Sequence, residues 1–285
     1  MRTTRYSDLV LPLLLFVVTA GAAQPTYELK LGRKIKAFDQ YLLKATYDNE
    51  TLTKLFIADM ERGNERQYIN LRLNAQCSVA AVTVDGQEKE KHLIIRDFRR
   101  MTPTDTTDLL PTGTKVRCWF SDSGSVFTID NRPAPDSISS MLALIVKGEG
   151  GALTGKLLDA KKPVRVGASW KLNIPAFRTV LGREVSSLIK KVDGTVTFAG
   201  IDSTSSTLPV ARVEAAASAP KFTMNFSGVP STSSLTATFR LEVPVDTRYP
   251  PEAIATSTEQ TITTKQDNVR MEMRVRTSRS ARFIR

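Results

Sequence analysis

The chain holds one histidine, His92, between Lys91 and Leu93, and two cysteines, Cys77 and Cys118. A histidine-dependent nucleophile or acid–base centre needs the ring within reach of a serine, cysteine or carboxylate. No G-x-S-x-G elbow is present and neither cysteine carries a catalytic signature, so His92 reads as a neutral surface residue at the start of a strand. Two cysteines 41 positions apart and one histidine do not make a four-ligand zinc cage. There is no H-E-x-x-H, EF-hand or Walker A pattern, and nothing calls for a cofactor or a metal. Glycoside hydrolysis would need only two carboxylates, roughly 5–10 Å apart, and the chain has 29 acidic residues. Sugar clefts are usually lined with aromatic rings, however, and aromatics make up 7%, with only Trp119 and Trp170 as tryptophans. These patterns assign no catalytic residue, and the chain reads as a non-enzyme.

The cysteines take their meaning from the N-terminus. Arg2 and Arg5 precede the apolar run Val10–Val18, and Ala20-Gly21-Ala22 follows in A-x-A form. This is the charged, apolar and small-residue order of a secretory signal, expected over residues 1–23. Nine apolar residues fall short of the ~20 needed to cross a bilayer, and no later segment is apolar enough to do so. The address is therefore exported, periplasmic or extracellular, where thiols are oxidised. A Cys77–Cys118 disulfide is expected; its loop of about 42 residues would be worth roughly 4 kcal/mol in the chain-entropy model.

The formal charge is +11 for the full chain. The leader carries Arg2, Arg5 and Asp8, which leaves +10 on the mature protein. Such a balance suits acidic partners outside the cytosol, an anionic envelope surface or lipid among them. No helix-turn-helix, zinc-finger, RRM or KH signature points to specific nucleic-acid binding. The densest basic run is Arg270, Arg274 and Arg276, with Arg279, Arg282 and Arg285 beyond. Arg270, Arg274 and Arg276 are the candidate contacts to an anionic surface.

The elements that carry these residues are mostly strands. Val269, Met271, Met273 and Val275 alternate with Arg270, Glu272, Arg274 and Arg276, the pattern of a half-exposed antiparallel strand. Cys77, Val79 and Ala81 share one face of another strand, which Asp85-Gly86 turns into a hairpin. Lys115–Phe120 and Val126–Ile129 form a second hairpin around Asp122-Ser123-Gly124, and a third is expected at Asp193-Gly194. One helix is expected over 137–147, capped by Asp136 or Ser137, ended by Gly148, and apolar around most of its circumference. Leu153–Leu158 reads as a short second helix, Ser203–Thr207 as loop or strand edge, and Ser278–Arg285 as a frayed tail. The glycine-rich stretch 148–151 divides an N-terminal β-rich domain (24–150) from a C-terminal one (151–285).

Lys162-Pro163-Val164-Arg165-Val166-Gly167-Ala168-Ser169-Trp170 resembles the P-V-x-V-G-x-x-W element of a family of uncharacterised exported bacterial proteins, a domain of unknown function. Ala168 stands where that family often carries Asp. The resemblance implies a bacterial envelope or extracellular protein and transfers no catalytic residue. From the residues themselves, Pro163 suits a strand entry and Trp170 a packing role over a sheet end. The resulting expectation is mainly β: two antiparallel β-rich halves, sandwich or half-barrel, with a central helical connector. The function expected is a non-enzymatic binding or structural module of the envelope. The alternative is a periplasmic carrier whose sheet wraps the helix around an apolar, lipid-like ligand. An open apolar cavity would mark the carrier, a filled core the module.

Overall fold

The computed structural model describes residues 25–284 apart from 33, 122–123, 150–151, 182, 205–207 and 247. The expected leader, the Asp122-Ser123 turn, Gly150-Gly151, Ser205–Thr207 and Arg285 lie outside the described residues. The chain is mainly β. Its first half runs β1 (Gln40–Ile57), β2 (Met60–Val82), β3 (Glu88–Met101), β4 (Thr106–Asp108), β5 (Lys115–Ser121), β6 (Gly124–Ile129) and β7 (Arg132–Pro133). Four helices and one short strand follow: α1 (Asp136–Ile145), α2 (Ala152–Leu158), β8 (Ser169–Lys171), α3 (Ile174–Leu181) and α4 (Arg183–Leu188). The chain then closes with β9 (Asp193–Asp202), β10 (Val210–Phe226), β11 (Val229–Pro244), β12 (Ala253–Gln266) and β13 (Val269–Ile284).

The described strands form one antiparallel sheet in the order β7-β6-β5-β3-β2-β1-β13-β12-β11-β10-β9-β8, with β4 on β3. Two meandering halves are joined where β1 pairs with β13, from Leu42↔Ile284 to Ile57↔Val269. Because side chains alternate along a strand, register decides which residues share a face. Phe98, Leu73, Ala45, Ala281, Ile254, Leu241, Val213 and Phe198 stand side by side across eight strands on one face. The helices cover that face. Under α1, Leu71, Cys77, Leu93 and Ile95 pack with Leu142, Ile145 and Val146. Under α2 and α3, Leu157, Leu158 and Phe177 meet Val196, Phe198 and Val213. One residue along each strand, the side chains point to the opposite, helix-free face.

Several local expectations are met. Gly86 lies in the turn between β2 and β3 with φ 74°, and a Cβ there would lie 2.5 Å from that of Lys34, so the turn needs glycine twice over. The β5–β6 hairpin and α2 form as read. Others are corrected. Asp193-Gly194 makes no hairpin but opens β9, where Gly194 faces Ala217 and a Cβ would come within 2.8 Å of Leu172. That glycine permits a close approach rather than a turn. Helix α1 begins after Pro135 without a side-chain cap and ends in extended Val146, two residues before Gly148. Residues 278–284 are not frayed: they complete β13, held on both sides by β1 and β12. The 162–170 segment packs as read, with Val164 bridging Tyr27 and Trp170 Nε1 donating to Leu158 O at 2.9 Å.

Candidate functional site

The most buried polar cluster sits on the covered face beneath the chain that leaves α1. Lys91 is 1% exposed and Glu88 fully buried. Lys91 Nζ donates to Glu88 Oε2 at 2.7 Å and to Lys147 O at 2.6 Å, and lies 5.2 Å from the Phe120 ring. Tyr41 Oη donates to Glu88 Oε1 at 2.5 Å, and Glu149 N to Glu88 Oε2 at 3.1 Å. Arg279 donates to Ile145 O at 3.1 Å and pairs with Glu149. Burial works against the Lys91 ammonium, but the carboxylates of Glu88 and Glu149 hold its pKa above the usual value. Burial, then Glu88, pushes the Tyr41 phenol well up. Every strong donor and acceptor of the pair has a protein partner, so the cluster clamps residues 147–149 onto β3.

The two cysteines border this cluster as free, buried thiols, which corrects the expected disulfide. Cys77 on β2 faces Leu93 on β3, and Cys118 on β5 faces Lys91 on β3. With β3 between them and their partners on it two residues apart, the cysteines are separated by two strand spacings and a diagonal offset, roughly 12 Å, beyond the reach of a disulfide. Burial raises the thiol of Cys77 to about 11 and that of Cys118 to about 12. Both stay protonated and inert at neutral pH. Native protein should therefore give no reaction with a thiol reagent, and denatured, unreduced protein should titrate two thiols. A titre of zero after denaturation would restore the disulfide.

His92 lies on the helix-free face, half exposed, with Nε2 3.0 Å from Glu90 Oε1. Arg117 Nε donates to the same oxygen at 2.5 Å and stacks on Trp119 at 4.3 Å. The hydrogen bond from Arg117, and then that from His92, holds Glu90 below the usual carboxylate range despite its partial burial. Gln40, Ser78, His92, Arg117 and Thr128 form one row across five strands, the floor of a groove of about 370 Å³. The surface-residue reading of His92 agrees with this placement.

A larger groove, about 690 Å³, crosses the helix-free face from β9 to β1. Two adjacent rows line it. One runs Thr46, Ser280, Ala255, Arg240, Glu214, Thr197. The other runs Ser278, Ser257, Thr238, Ala216, Thr195. Serine, threonine and alanine are short, so the floor is low and studded with hydroxyls; Thr46 and Ser280 are bonded at 2.8 Å. Beside it is a second hollow of about 400 Å³, where Arg212, Arg240 and Arg282 converge on Glu242 at 3.6, 3.6 and 3.3 Å.

The structure separates the residues of the basic run. Arg270, Arg274 and Arg276 do face the helix-free side, but from an inner strand and already paired. Arg274 and Arg276 share Glu259 at 2.7 and 2.8 Å. Arg270 meets Glu272 at 3.2 Å and stacks 4.3 Å over Phe56. Arg279 points to the covered face. Of the described arginines in the run, Arg282 alone joins the three-arginine cluster. Arg212 and Arg240 were missed by sequence reasoning. Their signal is faint: Arg212-Val213-Glu214 and Arg240-Leu241-Glu242 each place Arg and Glu on one face around a buried residue. Which arginine meets which glutamate depends on register.

No described helix is long and apolar enough to cross a membrane. No family model and no curated protein matches the chain. Among solved structures, one titled "Lipid-protein interactions in lipovitellin" aligns with 86% of this chain at 11% identity and a TM-score of 0.32. The chain spans about a quarter of that structure's length, 25%. An outer membrane channel of Pseudomonas putida F1 aligns with 89% of this chain and 98% of its own at 8% identity and a TM-score of 0.20. At these scores neither likeness carries an argument about fold or function.

Proposed function

We propose that this chain is a non-enzymatic binding module of the bacterial cell envelope, exported through its N-terminal segment, with the helix-free face of its sheet as the ligand face. The observation that carries this reading is the asymmetry of the two faces. One face is filled by helices, with Leu142, Ile145 and Val146 wholly buried against it. The other bears open grooves of about 690 and 370 Å³, in which hydroxyls, amides and guanidiniums stand among alanines and other apolar groups that make up most of the lining. A carrier of an apolar ligand would need its hollow between sheet and helix, where these side chains already pack. The resemblance of residues 162–170 to exported bacterial proteins supports the same address.

Fractionation tests the proposal. The protein should be recovered outside the cytosol lacking about its first 23 residues, the length of a typical leader. It should sediment with isolated envelope at low salt and be released at high salt, because contacts between exposed charges are screened. Native mass spectrometry of that material should give the bare polypeptide mass. Intact protein in the cytosol, or a tightly co-purifying lipid, would overturn the proposal.

A further inference from the structure

We infer that Arg240 and Arg282, set beside Arg212, bind the acidic groups of a linear polysaccharide laid across the strands, over the hydroxyl-bearing floor of the larger groove. The inference rests on the helix-free face being the ligand face, and adds the ligand's chemistry and the residues that read it. Three observations carry it.

The first is the looseness of the cluster. Elsewhere on this face Arg274 and Arg276 hold Glu259 at 2.7 and 2.8 Å and Arg117 holds Glu90 at 2.5 Å, while Arg270 stands 3.2 Å from Glu272. Around Glu242 the three guanidiniums stand at 3.3–3.6 Å and share one carboxylate. Arg212 is fixed by Asp202 at 2.5 Å, whereas Arg240 and Arg282 are 50% and 61% exposed and have fork donors to spare. A guanidinium fork matches a carboxylate or sulfate oxygen pair, and two forks side by side favour an anion between them.

The second is charge. Arg282 and Arg212 lie in one row with Lys44 and Glu242, and Arg240 is one row away beside Glu214. Four cations there face three carboxylates, Glu242, Asp202 and Glu214, so the surplus is positive where the hollow opens into the larger groove.

The third is the floor. It crosses six strands, about 24 Å at the usual strand spacing, and offers hydroxyls in one row at Ser278, Ser257, Thr238 and Thr195. A hydroxylated chain can exchange hydrogen bonds along such a floor, while an acyl chain would leave those hydroxyls dry and unpaired. The absence of aromatic rings from the two rows places the burden of recognition on hydrogen bonds and charge rather than on stacking.

The test is calorimetric titration of the mature protein with an oligogalacturonate, a neutral cello-oligosaccharide of equal length, and vesicles of phosphatidylglycerol. The oligogalacturonate should bind in a salt-sensitive way and the neutral sugar should bind at least about tenfold more weakly. Arg240→Ser/Arg282→Ser should cut oligogalacturonate affinity by about tenfold or more with circular dichroism unchanged. Glu242→Gln, which removes the competing carboxylate, should raise it. Ser257→Trp, which fills the floor, should abolish binding. If Ser257→Trp blocks binding but the arginine variant does not, the ligand-face reading stands and the arginine assignment falls. If neither variant changes binding, both fall. Equal binding of the neutral sugar, or binding to the vesicles alone, overturns the acidic-polysaccharide assignment.

Discussion

Lys91→Met should destabilise the protein by about 3–5 kcal/mol in urea or guanidinium unfolding, one of the largest losses that a single substitution here can cause. The reason is what the change leaves behind. Glu88 is fully buried, and with the ammonium gone its carboxylate keeps only the Tyr41 hydroxyl and the Glu149 amide. Lys147 O loses its donor as well. Replacing both partners, Glu88→Leu with Lys91→Met, should cost less than Lys91→Met alone, because no uncompensated charge remains. A double variant worse than the single would show that the pair contributes net stability rather than merely avoiding a penalty.

Stability should also fall steeply as the pH rises past about 9. Four neighbouring groups, Cys77, Cys118, Tyr41 and Lys91, all have folded pKa values above their ordinary ones. The sign is the same for each: a raised folded pKa gives stability that is present below the unfolded value and lost as pH climbs through the folded one. An unfolded thiol ionises near pH 8.5, whereas Cys77 and Cys118 wait until about 11 and about 12. Each pKa unit corresponds to about 1.4 kcal/mol, so several kcal/mol should vanish across pH 9–12. Thermal unfolding over that range should show the decline, and Cys77→Ala/Cys118→Ala should make it shallower. A flat profile from pH 8 to 11 would contradict the buried-thiol arrangement.

The sequence was most legible where pattern and burial agree. The alternation in 269–276 made β13 visible, and the apolar run at 138–146 made α1 visible. It was least legible where pairing decides the outcome. Glu88-Lys89-Glu90-Lys91-His92 looks like a wholly solvated strand start. Glu88 and Lys91 cannot share a face of a regular strand at a spacing of three. Register shifts opposite them, at Val79/Ala81 and Ala81/Val82, turn both inward. The disulfide expectation failed for the same reason, since cysteines in neighbouring segments of sequence are separated by the strand that pairs between them. The β1–β2 hairpin gave no glycine signal: its turn is Ala58-Asp59, both at positive φ. The arginine cluster is drawn from three strands, with successive spacings of 28 and 42 residues between Arg212, Arg240 and Arg282. Composition suggested a basic surface, but only the strand order says where its charge is left over.

The margins of the sheet bear on how readily so much ladder could pair with another chain. A thirteen-stranded array that does not close could recruit further copies along its unpaired backbone. Here the two outermost strands are stubs: β7 has two residues, one of them Pro133 with no amide hydrogen to offer, and β8 has three, ending in Lys171. The strands of 14 to 23 residues all lie inside them, although β3 covers β2 only from Asn70 onward and β9 covers β10 only as far as Ser218. The outermost strands therefore offer almost no template for fibril growth, and the longer unpaired stretch of β2, Met60–Ile69, carries Glu61, Arg62, Glu65 and Arg66, charges that oppose edge pairing.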